Sequence, residues 1–280
     1  MLSKKKNINN INVLLSVLLP LAILIFFSST SIIYSINFIS KNEILSNLSS
    51  FLIASFVWLL FYNKLREIID IKLLNLITCL FLTKTIINFL YIYYFQLNLF
   101  DYGSSNDYEI SAAGDSGLAH VSILKFISEA PNLIGKLFHN ANYYNNKGTL
   151  IVYSLIYESF GNFPTNTIPW DSLVVAIYSL IFYFVSGFIN NNQKNNLIPV
   201  AIFILPAFFF SPLLYRDIYI VLFLSLSLFI VFNNNENTKF YLKFLFLIIL
   251  SLILFFFRKF YFILPIIFFI IYQFFYNIKL

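Results

Sequence analysis

A chain of 280 residues that is 60% hydrophobic and 11% charged, with 36 phenylalanines and a mean hydropathy of +0.82, lies outside the range of water-soluble globules. A single cysteine, Cys79, excludes an intrachain disulfide and a cysteine-based zinc site. The net charge of +6 first reports orientation in a membrane, because Lys and Arg are retained on the cytoplasmic side, and gives no reason to expect nucleic acid as a partner.

Apolar runs long enough to cross a hydrocarbon layer of roughly 30 Å as helix recur along almost the whole chain. Lys4, Lys5 and Lys6 precede the first, 12–34, which is too long for a signal peptide and lacks a small-residue cleavage site, so it is expected to persist as a span. Further spans are expected at 48–63, 72–97, 172–190, 197–214, 218–232, 239–257 and 260–276, making eight crossings. The expected fold class is therefore all-α: a polytopic integral membrane helical bundle forming one transmembrane domain over 1–280. The Asn runs 190–192 and 233–235 read as solvated turns, since consecutive amides are costly in hydrocarbon. With the amino terminus cytoplasmic, that side receives Lys4, Lys5, Lys6, Lys64, Arg66, Lys72, Lys194, Lys239, Lys243 and Lys279, a majority of the 18 cations, and Lys84 is left inside the membrane.

The segment 98–171 breaks this pattern and becomes an extracytoplasmic loop with interfacial helices. It holds Asp101, Asp107, Glu109, Asp115, Glu129, Glu158 and Asp171, most of the 12 acidic residues, and both histidines. Loops longer than about 15 residues are usually functional or disordered, and helical periodicity argues against disorder here. Leu118, Val121, Ile127 and Ala130 recur at helical spacing, with Lys125 and Glu129 an i,i+4 pair on the wetter face and Asp115 at the amino-terminal end, where an N-cap is expected. After Pro131, Leu133, Ile134, Leu137 and Phe138 oppose Lys136 and His139, as in a helix lying in the headgroup plane. The stretch 149–160 is apolar, but its helical rise of about 18 Å is too short to cross, so it is expected to be interfacial or half-inserted. Tyr91, Tyr93, Tyr94, Tyr143 and Tyr144 fit the membrane–water boundary as anchors. His120 and His139 lack metal-pair spacing, so carboxylates alone would serve a divalent cation, and no cofactor is expected.

Two charged steps mark span boundaries. Arg216 and Asp217 follow Pro206 and Pro212 with almost no loop, and Arg258 and Lys259 lie at the same level. Ionisable groups at such depth are expensive unless paired, hydrated or used. Snorkelling or a local ion pair is the plain explanation. The functional one is that guanidinium forks bind phosphate, while a carboxylate on the same side takes a proton from an attacking hydroxyl.

The order Gly114-Asp115-Ser116-Gly117-Leu118-Ala119-His120, then Gly148-Thr149-Leu150-Ile151-Val152-Tyr153 leading to Tyr157 and Phe160-Gly161-Asn162, resembles the GT-C membrane glycosyltransferases. It is most similar to their bacterial branch related to protein O-mannosyltransferases and lipid A aminoarabinose transferases, and Pro206 with Ser211-Pro212-Leu213-Leu214-Tyr215-Arg216-Asp217 continues the likeness. The resemblance covers most of 100–260, with His120 about where the family often has tyrosine. It implies a polyprenyl-phosphate-linked sugar donor, transfer on the outer face of a bacterial inner membrane, and inversion at the anomeric carbon. Asp115 is then the general base, Asp217 a second acidic residue that orients acceptor or donor, and Arg258 with Arg216 or Lys259 the phosphate contacts. His120 and Tyr153 complete the implied substrate-binding set. The lipid-linked donor and membrane lipids are the expected partners. An envelope polysaccharide polymerase of O-antigen type is an alternative with the same architecture, and a transporter or non-catalytic membrane protein is one from another class. Transport is disfavoured because few ionisable residues besides Lys84 fall within the spans.

Overall fold

The structure, a computed structural model, describes residues 43–91, 114–130, 132–138, 147–189, 197–204, 217–233 and 240–278. Every regular element among them is helical: α1 (Glu43–Leu65), α2 (Ile71–Tyr91), α3 (Gly114–Glu129), α4 (Leu133–Phe138), α5 (Lys147–Phe160), a 3-10 turn (Pro164–Thr167), α6 (Ile168–Ile189), α7 (Leu197–Ile204), α8 (Asp217–Phe232), α9 (Phe240–Phe257), a second 3-10 turn (Lys259–Tyr261) and α10 (Leu264–Ile278). Among the described residues four helical stretches are long and apolar enough to cross a membrane: Glu43–Leu65, Ile71–Leu90, Pro164–Phe188 and Phe240–Phe257. The apolar stretches Asp217–Phe232 and Lys259–Phe274 are shorter. The expected span 12–34 and the residues 92–97 and 205–214 of two others lie outside the described residues.

Burial separates a central helix from those at the rim. The Pro164–Phe188 stretch is 94% buried across its apolar window, against 39% for α1, 39% for α2 and 33% for α9. It is hydrophobic all round because it packs against α1, α2, α7 and α8 at once. On α1 the same logic splits the sequence by face. Leu48, Leu52, Phe56 and Leu59 are exposed, whereas Ser46, Ser50, Ala54, Val57 and Phe61 are buried. Small residues on the inner face let helices approach closely where lipid offers no hydrophobic drive between them. Trp58 Nε1 then donates to Thr78 Oγ1 at 2.9 Å, tying α1 to α2.

A polar latch fixes the start of α1 against the turn between α5 and α6. Gly161, at φ 109°, breaks α5 in a conformation that a side chain would resist. Asn166 Nδ2 donates to Gly161 O at 2.9 Å and to Ser46 Oγ at 2.7 Å, and the Ser46 hydroxyl donates to Phe160 O. Ser50 Oγ donates to Asn166 O at 2.7 Å and accepts from Trp170 Nε1 at 3.1 Å. In a medium with little water these internal partners satisfy groups that would otherwise be costly. The starts of α1, α6 and α8 and the end of α9 consequently share one end of the bundle, since Arg258 reaches Asp217 there. At the opposite end Lys243 Nζ donates to Asn233 O at 2.6 Å, just past the last turn of α8. Asn233 is therefore buried, not part of a solvated turn.

The loop helices follow expectation in part. Helix α3 is described from Gly114, so Asp115 falls at its amino-terminal end, while the residues before it lie outside the described ones. Of the expected apolar face Ala130 is buried and Ile127 half-buried, with Leu118 and Val121 outside the described side chains, while the inner face is carried by Ile123 and Phe126; Lys125 lies 4.0 Å from Glu129 as expected. Helix α4 is turned over: Lys136 is fully buried, while Ile134 and Leu137 are exposed. The reason is Glu158 on α5, which pairs with the Lys136 ammonium and draws it inward. Helix α5 is enclosed by the protein, for Gly148, Tyr153, Tyr157 and Phe160 are all buried and it packs against α1, α3 and α9.

Candidate functional site

The end of the bundle where α5, α6, α8 and α9 meet carries the polar chemistry. Asp217 opens α8 and Arg258 follows the last turn of α9. Their Oδ1 and Nη1 are 3.5 Å apart, with side chains 37% and 36% exposed. The pair is thus reachable from outside the packed core. The Arg258 guanidinium also lies 5.6 Å from the centroid of the Tyr261 ring, a cation–π contact that orients it. Lys259, next in sequence, is exposed and starts the 3-10 turn.

A second, buried cluster lies behind this pair. Tyr219, two residues into α8, donates its hydroxyl to Asp171 Oδ1 at 3.2 Å. Tyr153 on α5 reaches the same carboxylate, 3.3 Å from Oδ1 and 3.4 Å from Oδ2. These bonds are long for O–H···O. The two rings meet edge to face with centroids 5.7 Å apart. Lys84 of α2 lies within electrostatic reach of Asp171. Lys84 and Tyr153 expose no surface, Asp171 2% and Tyr219 4%. A carboxylate and an ammonium at that depth are tolerable because each offsets the other.

One turn along α5 from Tyr153, the Tyr157 hydroxyl is 2.9 Å from His120 Nδ1 on α3. Burial holds the His120 imidazole down to about 4, so the ring is neutral near pH 7. Glu158 is pushed the other way, upward, by burial, against the pull of its Lys136 partner. Gly148 brings α5 against α9 so closely that a Cβ there would sit 2.7 Å from the Phe257 ring.

The sequence-derived candidates fare unequally. Asp217 and Arg258, 41 residues apart, are brought together as an ion pair. Asp115 lies in the first turn of α3, its side chain outside the described residues, and Arg216 is outside them altogether. Tyr153 and His120 both point into the bundle, their polar atoms engaged by Asp171 and Tyr157. The sequence pattern gives Asp171 and Tyr219 no site role and places Lys84 inside the membrane without one. The signal was present: Asp171 stands one residue outside the expected span 172–190, but the helix starts at Ile168 and takes the charge inside. With that start, two opposite charges fall in neighbouring apolar helices and pairing becomes the expectation. Among the described residues there is no group of three or more His, Cys, Asp or Glu that could hold a metal.

Comparison with family models, curated proteins and solved structures finds no match. The geometry defines a helical protein with four described helical stretches long and apolar enough to cross a membrane and a charged pair where α8 begins and α9 ends.

Proposed function

We propose that the protein is a membrane glycosyltransferase that moves a sugar from a polyprenyl-phosphate-linked donor to an acceptor on the outer face of a bacterial inner membrane, in cell-surface polysaccharide or glycolipid assembly. The amino terminus is cytoplasmic in this reading, which makes the Asp217–Arg258 end of the bundle the outer one. The observation that carries the proposal is that pair: a guanidinium and a carboxylate 3.5 Å apart, each about a third exposed, at the boundary of two apolar helices. Arg258 supplies a fork for phosphate oxygens and Asp217 an acceptor for hydroxyl groups. The sequence resemblance over 114–120, 148–162 and 211–217 supports the same assignment.

In this mechanism the donor phosphate engages Arg258 and draws it from Asp217, which turns to orient acceptor or donor. Asp115 takes the proton from the acceptor hydroxyl as its oxygen attacks the anomeric carbon from the face opposite the leaving group, giving inversion. The bond to the phosphate oxygen breaks with its electron pair, and Arg258, with Arg216 or Lys259, stabilises the charge on the departing polyprenyl phosphate.

Removal of the gene is expected to make a lipid-linked sugar accumulate, identifiable by mass spectrometry, and absence of any such species counts against the whole reading. Asp115→Asn is expected to lower transfer by about a hundredfold or more while leaving membrane insertion intact. Near-normal transfer in that variant removes Asp115 as the base.

A further inference from the structure

Asp171, Lys84, Tyr153 and Tyr219 come from four helices, and none exposes more than 4% of its surface. That leaves no access for a ligand, and the transfer mechanism gives these groups no step. What they share is position. Tyr219 follows Asp217 by two residues in the first turn of α8, and its ring stacks on Phe257, the residue before Arg258, with centroids 5.9 Å apart. Asp217 and Arg258 are thus linked directly at 3.5 Å and again through the Tyr219–Phe257 stack beside them. Stacked rings slide easily, because aromatic contact is weakly directional, whereas a hydroxyl bonded to a fixed carboxylate has one preferred orientation. The Tyr219 hydroxyl is fixed in this way by Asp171 at 3.2 Å. Asp171 also holds Tyr153, on the helix whose Gly148 abuts the Phe257 ring.

We propose that Asp171, backed by Lys84, is a positioning residue: through Tyr219 and Tyr153 it sets the first turn of α8 against the end of α9 so that Asp217 and Arg258 face each other. The inference rests on Asp217 and Arg258 being site groups, but not on which group is transferred.

The test uses the intact chain in detergent, with phenylglyoxal modification of Arg258 followed by mass spectrometry and thermal unfolding measured in parallel. A guanidinium engaged by a carboxylate reacts slowly with the reagent. Tyr219→Phe removes one hydroxyl and is expected to speed modification of Arg258 about threefold with the unfolding midpoint nearly unchanged. Lys84→Met combined with Asp171→Leu replaces the buried charges by apolar side chains, a change that often preserves stability, and is expected to speed modification similarly. Wild-type modification rates in both variants would overturn the proposal. If the double variant fails to fold, Tyr219→Phe decides alone. Sugar transfer by the same preparations separates the two ideas: a wild-type chain that transfers nothing, while Arg258 responds as stated, removes the transferase reading and leaves the positioning role in place.

Discussion

His120 shows how burial decides the chemistry of a single residue. In sequence it is a loop histidine in a motif that implies substrate contact. In the fold it is 7% exposed, bonded to Tyr157, and held at about 4 instead of 6.5. The folded state resists a proton that the unfolded chain accepts, so stability is lost as pH falls from 6.5 toward 4. The shift corresponds to about 3 kcal/mol at most. Glu158 opposes it, since a carboxyl raised by burial makes the fold gain stability as pH falls toward the ordinary carboxyl range. Comparing variants separates the two. His120→Gln is expected to show a smaller drop in unfolding midpoint between pH 7 and pH 4.5 than the wild type, and equal drops would show that His120 does not titrate with folding. The inward turn of His120 was not legible, because the Tyr157 hydroxyl lies 37 residues away and periodicity reports only which residues share a face.

At the scale of elements, the chain shows where local pattern suffices and where it fails. The existence of α1, α2, α6, α8 and α9 follows from apolar runs bounded by charges and amides, and their described bounds lie within about five residues of expectation, the end of 72–97 falling outside the described residues. The orientation of α4 does not, because its amphipathic pattern suits a membrane surface until Glu158 is placed beside Lys136. Helix α5 shows the reverse: its shortness is plain in the sequence, but its close packing depends on Gly148. With no side chain there, α5 meets the Phe257 ring at a distance any Cβ would violate. Gly148→Ala is expected to lower stability by about 1–3 kcal/mol, read as a fall in unfolding midpoint in detergent, because overpacking forces ring or helix to shift. A second change, Phe257→Leu, is expected to recover part of that loss by making room. An unaltered midpoint in Gly148→Ala would mean that α5 and α9 are not packed this tightly.

For the whole molecule, the claim to check is that α6 crosses the membrane, since its 22 residues rise about 33 Å and carry the centre of the bundle. With Cys79 replaced by Ser, a cysteine at Asn162, exposed before α6, and one at Asn192, beyond its end, are expected to react with an impermeant maleimide from opposite faces. Modification of both from the same face would show that α6 does not cross. Composition and run length by themselves determined that the chain is helical and where its segments long and apolar enough to cross a membrane fall, because a hydrocarbon layer imposes length and apolarity on each segment independently of its neighbours. The pairing of Asp217 with Arg258, the joining of Lys84, Asp171, Tyr153 and Tyr219 from four helices, and the burial of Lys136 were decided by the tertiary structure. Inside an apolar bundle each of these groups must find a partner, and which partner is in reach is settled only by how the helices pack.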